Sequence, residues 1–407
     1  MPHQLKIALP TSTFLPAIGG VEIGLHNIAK RLSQQGHTPM VIAPASHVYD
    51  LRRHRFTLPY KLLSLPPKSL TLSSISPQAA TVFLSNYFKI LQWKYNFDIW
   101  HGTVGYPVGT ALARFGLNNV PHIIRCAGED IQVNRKINYG MRINPKVDKI
   151  VKQWLPQADG MVAITKSIQQ EYENIGIPQS KILRITNGVS LGRFKKNSCP
   201  KALREKYNLP QEAFLFLTVG RNHPKKGFSD LIRASSLLKK TTSVPFTVVI
   251  AGANTEPLSA LIAKEGLNDT IFCLGEIGAD SKNVIDADWP SQDLVDLYKT
   301  ADAFIFPSHI ESFGIALIEA MAAGLPIITT DGPGCIDVIE NGSYGKMVSV
   351  GDVSALAEAM YKIRTDANLR SHYMEASRQR AKDFSWDKIV GQYINAYQTL
   401  ISNSQRQ

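Results

Sequence analysis

Short apolar runs, many of them rich in β-branched residues, recur along the chain with segments of helix length between them. In order they are "LKIALP", "MVIAPA", "DIWHG", "HIIRCAG", "GMVAIT" and "ILRITNGV", then "FLFLTVG", "FTVVIAG", "TIFCLG", "AFIFPS" and "PIITTD". Near-continuous apolar strands that alternate with helices predict parallel sheets covered on both faces. A polar, proline-marked stretch at 191–212 separates the two series and reads as a linker. Each half repeats one device, "GLNNVPHII" and then "GLPIITT", a glycine helix stop followed by a proline-led strand. The predicted fold class is therefore α/β, with two doubly wound Rossmann-like domains at 1–190 and 213–384. A last helix is predicted over 385–407, with Ser385 as its N-cap and Ile389, Tyr393, Ala396, Tyr397 and Leu400 at helical spacing. Sheets of this kind take ligands beyond the carboxyl ends of their strands, so the expected site is a cleft between two facing domains.

With 407 residues, 44 % of them apolar, the chain can furnish a core for each of two domains. Its four cysteines, Cys126, Cys199, Cys273 and Cys335, form no metal or disulfide pattern and read as buried thiols of a reducing compartment. No signal-like start or membrane-length apolar stretch is seen, and a cytoplasmic protein is expected. Charge does change the picture. The net charge is +12, yet residues 1–196 carry 24 Lys and Arg against 9 Asp and Glu, whereas the remainder carries 21 against 24. One half is thus expected to meet an anionic partner.

The candidate chemistry gathers at the ends of strands in the second half. In "PSHIESFGIALIEAMAAG" a helix is predicted to begin near Phe313, with Glu311 before it and Glu319 in its second turn. The N–H groups of Phe313, Gly314 and Ile315 at such a helix start suit a phosphate. Carboxylates beside a phosphate are useful if they accept hydrogen bonds from hydroxyls on the same ligand. A nucleotide sugar meets both demands, with sugar at Glu311, ribose at Glu319 and diphosphate between. In "FLFLTVGRNHPKKGFSDLIRA", Arg221 and Lys226 extend from a loop after a strand and could neutralise a departing diphosphate, with Lys225 a competitor for the second role. Gly19 and Gly20 open a helix after the first strand, but their spacing is not that of a dinucleotide turn, which disfavours a dehydrogenase.

The segments "FLPAIGGVE", "ITNGVSLGRF", "VGRNHPKKG" and "PSHIESFGIALIEAMAAGLPII", in order along nearly the whole chain, resemble the retaining nucleotide-sugar glycosyltransferases of family 4, which have the GT-B architecture. The resemblance implies that Arg221 and Lys226 bind the donor diphosphate, Glu311 the transferred sugar and Glu319 the ribose. It further implies that Gly20 lies against the phosphate, that the last helix with Trp386 returns to the first domain, and that no metal is required. Many members have a His-Gly-x-Asp element whose histidine touches the donor sugar; here that place reads Ala127, Gly128, Glu129, Asp130, with Glu129, Asp130 or Arg125 as candidates to compensate. The family's Asn-Gly-Val-Asp stands as Asn187, Gly188, Val189, Ser190, and its later glutamate as Asp337. Asp286-Ala287-Asp288 imitates a metal-binding motif of another transferase fold but sits in an apparent inserted loop and reads as surface. His101 in "DIWHGT" is either a ligand contact or a satisfied core histidine.

The expected activity is a retaining, metal-independent hexosyl transfer from a nucleoside-diphosphate sugar to a hydroxyl of a glycan or lipid-linked glycan. The rival reading, motivated by Ala127, is a nucleotide-sugar sensor that keeps the fold without catalysis. For the acceptor, Arg52, Arg53 and Arg55 beside apolar residues, and Lys146, Lys149 and Lys152 at helical spacing, suit an anionic lipid surface or phosphorylated lipid-linked glycan. No nucleic-acid motif accompanies that charge, so no nucleic acid is expected. The expectation is salt-sensitive, peripheral attachment to the inner face of a cytoplasmic membrane, in surface polysaccharide or glycolipid synthesis.

Overall fold

The computed structural model describes residues 4–116, 120–195, 198–242, 244–278 and 289–405. The chain divides into two compact units, Met1–Asn187 with Trp386–Gln407, and Gly188–Ser385. In the first unit, seven parallel strands are β1 (Lys6–Pro10), β2 (Thr38–Ala43), β3 (Lys61–Ser64), β4 (Ile99–Thr103), β5 (His122–Arg125), β6 (Gly160–Ala163) and β7 (Ile182–Arg184). Their spatial order is β3-β2-β1-β4-β5-β6-β7. The second unit holds β8 (Phe214–Val219), β9 (Phe246–Ala251), β10 (Ile271–Gly275), β11 (Ala303–Phe306), β12 (Ile327–Thr330) and β13 (Lys346–Val348), in the order β10-β9-β8-β11-β12-β13. Each sheet reverses direction of growth at its first strand, the switch point at which such folds take ligands. The α/β expectation of two Rossmann-like domains is thereby met.

Two edge strands, β3 and β13, were absent from the apolar pattern. Both are short, and β3 is only half-buried or exposed along its length, so it has no continuous apolar run to betray it. The segment 191–212, read as a linker, is folded within the second unit: its helix Pro200–Lys206 buries Leu203, and Arg204 donates to the carbonyls of Pro210 and Ala213. Proline and charge there mark a helix start and a buried arginine. Two of the four thiols are also other than expected, since Cys199 and Cys273 are exposed while Cys126 and Cys335 are buried.

In the first unit β1 runs into α1 (Gly20–Gln34), and β2 into α2 (Ala45–Arg53); α3 (Ser69–Ile75) and α4 (Pro77–Tyr95) follow β3. Ser76 caps α4 by accepting from the Ala79 N–H, and Pro77 occupies its first position, where a missing N–H costs nothing. The C-terminal helix, Trp386–Ser404, completes this unit's core: Trp386, Ile389, Val390, Tyr393 and Tyr397 are buried with Leu25, Ile28 and Leu32 of α1 and with Ile99. No helix among the described residues is long and apolar enough to cross a membrane.

Candidate functional site

In the second unit β8 is followed by Gly220, whose N–H donates to Ala251 O, and the next turn, Pro224–Lys226, closes on Gly227. Gly227 has φ +65°, and a Cβ there would lie 2.0 Å from the Pro307 carbonyl oxygen. At Gly334, with φ +81°, an added Cβ would lie 2.4 Å from the Glu311 carbonyl oxygen. The loop 307–314 after β11 is therefore gripped by glycine backbone from both sides. Hydrogen bonds finish the clamp, from His309 N to Lys225 O (2.7 Å) and from Glu311 N to Pro333 O (2.9 Å). The His309 ring meets Asp230 at 2.6 Å.

This clamp brings Lys226 and Glu311 together. Lys226 Nζ donates to Glu311 Oε1 at 2.5 Å and lies 4.7 Å from the centroid of the Phe306 ring. Both side chains are largely buried. Burial alone would raise the Glu311 carboxyl, but the charges of Lys226 and Lys225, with hydrogen bonds from Lys226 and Ser308, hold it below its usual value. Lys225 thus contributes charge, whereas Lys226 makes the direct bond. Arg221 stays exposed at the end of the strand.

The helix expected near Phe313 begins later, at Ile315, and runs to Ala322. Gly314 is its N-cap at φ +90°, a left-handed conformation that glycine adopts without strain. Phe313 is not at the helix start but buried, with its ring edge-on to Phe384 at 5.6 Å. Glu319 lies one turn in, buried, and accepts from the Tyr298 hydroxyl at 2.9 Å. Burial pushes its carboxyl up to about 7, against the downward pull of the Tyr298 hydrogen bond. Tyr298 was not foreseen; it sits on helix Gln292–Thr300 as an ordinary buried aromatic of the amphipathic pattern.

In the first unit, Gly20 is the exposed first residue of α1, and Glu22 in that first turn accepts from the Thr13 hydroxyl. Asp130, one of the acceptor-side candidates, is instead a buried loop anchor: its carboxylate accepts from the N–H groups of Gly105, Ala127 and Gly128. Glu129 remains exposed. Arg125 is buried and donates to Asn187. His101 is a core residue: its Nδ1 is 2.7 Å from the Tyr397 hydroxyl, its ring stacks on Tyr393, and burial with the nearby Arg125 charge lowers it to about 3. Arg52, Arg53 and Arg55 are exposed at and after the end of α2. Lys146, Lys149 and Lys152 are exposed on helix Pro145–Trp154, where Lys152 pairs with Asp148 at 2.7 Å. Asp286 and Asp288 lie outside the described residues.

Two doubly wound parallel sheets, one with paired acidic and basic side chains beyond its central strands, define an α/β protein of the class that takes ligands at the carboxyl ends of its strands. Comparison narrows the class. Residues 18–193 match the family model described as Glycosyltransferase Family 4, and residues 201–380 match Glycosyl transferases group 1. The chain belongs to this group 1/family 4 glycosyltransferase family. Among similar proteins, an N-acetyl-alpha-D-glucosaminyl L-malate synthase of Bacillus anthracis is 23 % identical over 98 % of both chains. A D-inositol 3-phosphate glycosyltransferase of Salinispora arenicola is 27 % identical over 65 % of this chain and 60 % of its own. A glycosyltransferase from Rickettsia africae superposes with a TM-score of 0.77 at 22 % identity, covering 98 % of this chain and 99 % of the other. Anabaena Alr3699/HepE, solved with UDP and glucose, gives 0.73 at 19 % identity, covering 98 % and 100 %. The fold is thus GT-B.

Proposed function

We propose that the protein is a retaining, metal-independent glycosyltransferase that moves a hexose from a nucleoside-diphosphate sugar to a hydroxyl of an anionic glycan or lipid-linked glycan. The observation that carries this reading is the single loop and helix, 307–322, on which Glu311 is held ionised against Lys226 while Glu319 waits one turn on against Tyr298. The second unit is the donor side. Arg221 and Lys226 take the diphosphate at the helix start, where Gly314 and Ile315 present N–H groups, Glu311 takes the sugar hydroxyls and Glu319 the ribose. UDP in the Anabaena structure supports a donor of this class.

In the reaction the acceptor oxygen bonds to the anomeric carbon as the bond from that carbon to the phosphate oxygen breaks on the same face. The departing phosphate oxygen takes the acceptor proton. Arg221 and Lys226 neutralise the charge that develops on the diphosphate, in the role a metal plays elsewhere, and the remaining protein groups orient. The first unit is the acceptor side. Its surplus, 23 Lys and Arg against 10 Asp and Glu over residues 1–187 and 386–407, suits an anionic acceptor and peripheral attachment to the inner face of a membrane, in surface polysaccharide or glycolipid synthesis.

A sensor without catalysis is the second reading, favoured by Ala127, whose N–H is bound by Asp130 and whose methyl can donate nothing to a sugar. Incubation with a panel of nucleotide sugars and a membrane extract as acceptor decides. Release of nucleoside diphosphate with transfer of label to the extract is expected; donor binding without release would establish the sensor.

A further inference from the structure

We infer that the outer face of α4 is a membrane-docking surface that seats this unit on anionic lipid. The inference rests on the reading that the enzyme works at a membrane, and it names the surface.

An amphipathic helix on a globular protein has one apolar face, turned inward. In α4 the inner face is complete: Ala80, Leu84, Phe88 and Leu91 are buried. The opposite face is apolar as well. Phe83 is 44 % exposed, Ile90 60 % and Trp93 87 %, and Ile75, just before the Ser76 cap, is 72 % exposed. At about 100° per residue, Phe83, Ile90 and Trp93 fall within one quadrant, opposite the buried row, with Lys89 and Lys94 on its two flanks. Scattered exposed apolar residues are ordinary, but three on one helix and a fourth at the end of the helix before it, finishing in a nearly bare tryptophan, are a surface that wants covering.

Charge identifies the cover. From residue 51 to residue 97 the chain contains seven Lys and Arg and no Asp or Glu. Arg52 and α4 are tied to the same edge strand: Arg52 donates to Leu62 O, and the Tyr87 hydroxyl of α4 donates to Ser64 O at 2.8 Å. An apolar stripe with an interfacial tryptophan, framed by lysines that can extend their ammonium groups and lacking any acid, is complementary to a bilayer of anionic lipid. Each cation close to such a surface raises the binding constant about fivefold. A second copy of the chain would bring cations against cations.

The test uses the full chain with vesicles of phosphatidylcholine alone or with phosphatidylglycerol. Wild-type protein should sediment with the anionic vesicles, and brominated lipid should quench Trp93. Ile90→Ser with Trp93→Ser should weaken binding on the order of a hundredfold. Lys89→Glu with Lys94→Glu should weaken it comparably and remove much of the salt dependence. Nucleotide-sugar hydrolysis in the absence of vesicles should be unchanged in both variants, showing that donor chemistry and fold are intact. Wild-type binding that both variants retain would overturn the surface while leaving membrane attachment standing. No wild-type binding would overturn the membrane reading, and with it the inference. A wild-type dimer that Ile90→Ser/Trp93→Ser dissolves would assign the face to a second copy instead.

Discussion

Glu311 and Glu319 are eight residues apart and equally buried, yet their surroundings drive them in opposite directions. Glu311 has a cation at 2.5 Å and stays ionised; Glu319 has only a tyrosine hydroxyl, and burial lifts it to about 7. A carboxyl raised from 4.5 to about 7 binds its proton more tightly folded than unfolded. Its destabilising contribution is therefore absent at low pH, grows as pH rises from about 4.5, and is complete above about 7. Glu319→Gln should melt higher than wild type at about pH 8, with the difference shrinking as pH falls and vanishing below about pH 4.5, as calorimetry would read. Because only the ionised form accepts from both ribose hydroxyls, nucleotide-sugar affinity should rise up to about tenfold from about pH 6 to about pH 8 in wild type and stay flat in the variant. The lysine pairing alters what a mutation at Lys226 means. Lys226→Ala takes the direct cation from a buried carboxylate, a loss of up to about 3–5 kcal/mol, so lower thermal stability should accompany lower activity. Adding Glu311→Gln should restore the melting temperature without restoring turnover. Exposed Arg221 gives the cleaner test of the diphosphate role: Arg221→Ala should melt as wild type and lose kcat by about 10²–10³. A full-rate Arg221→Ala enzyme would remove that assignment.

At the scale of elements, the site depends on a loop that contributes no regular structure. Segment 307–314 is positioned by Gly227 and Gly334, each at positive φ with a carbonyl oxygen where a Cβ would be. Gly227→Ala must push the Pro307 carbonyl away and adopt an unfavourable backbone conformation, costing more than about 1 kcal/mol. Faster amide exchange over 307–314 and lost turnover are expected, with β8 to β10 protected as in wild type; unchanged exchange in the loop would show that the clamp is dispensable. The glycines themselves could be read in the sequence as turn formers. Their partners could not, because a carbonyl 80 residues from Gly227 or 23 from Gly334 carries no signature in either local pattern.

At the scale of the whole molecule, the C-terminal helix belongs to the core of the unit that begins the chain. Five of its residues are buried there, worth on the order of 10 kcal/mol of apolar burial as an upper figure, comparable to the stability of a typical domain. A chain ending at Ser385 should therefore lose the cooperative melting transition of the first unit while donor binding by the second persists. Retention of both transitions would show that Met1–Asn187 suffices alone. The sequence by itself determined the strand and helix alternation, hence parallel sheets and the Rossmann-like class, because a strand buried on both faces must be apolar throughout. It also marked Arg221, Lys226 and Glu311 as candidates, because charged residues in loops after apolar strands stand where that fold takes ligands, and Glu319 as a candidate on the helix that follows. Tertiary structure decided the rest. It recruited Tyr298 to Glu319, turned Asp130 into an anchor for three N–H groups, placed His101 in the core, and added β3 and β13 as sheet edges. Those outcomes depend on distance, burial and neighbouring charge between segments far apart in the chain, and periodicity reports only which way a residue faces on its own element.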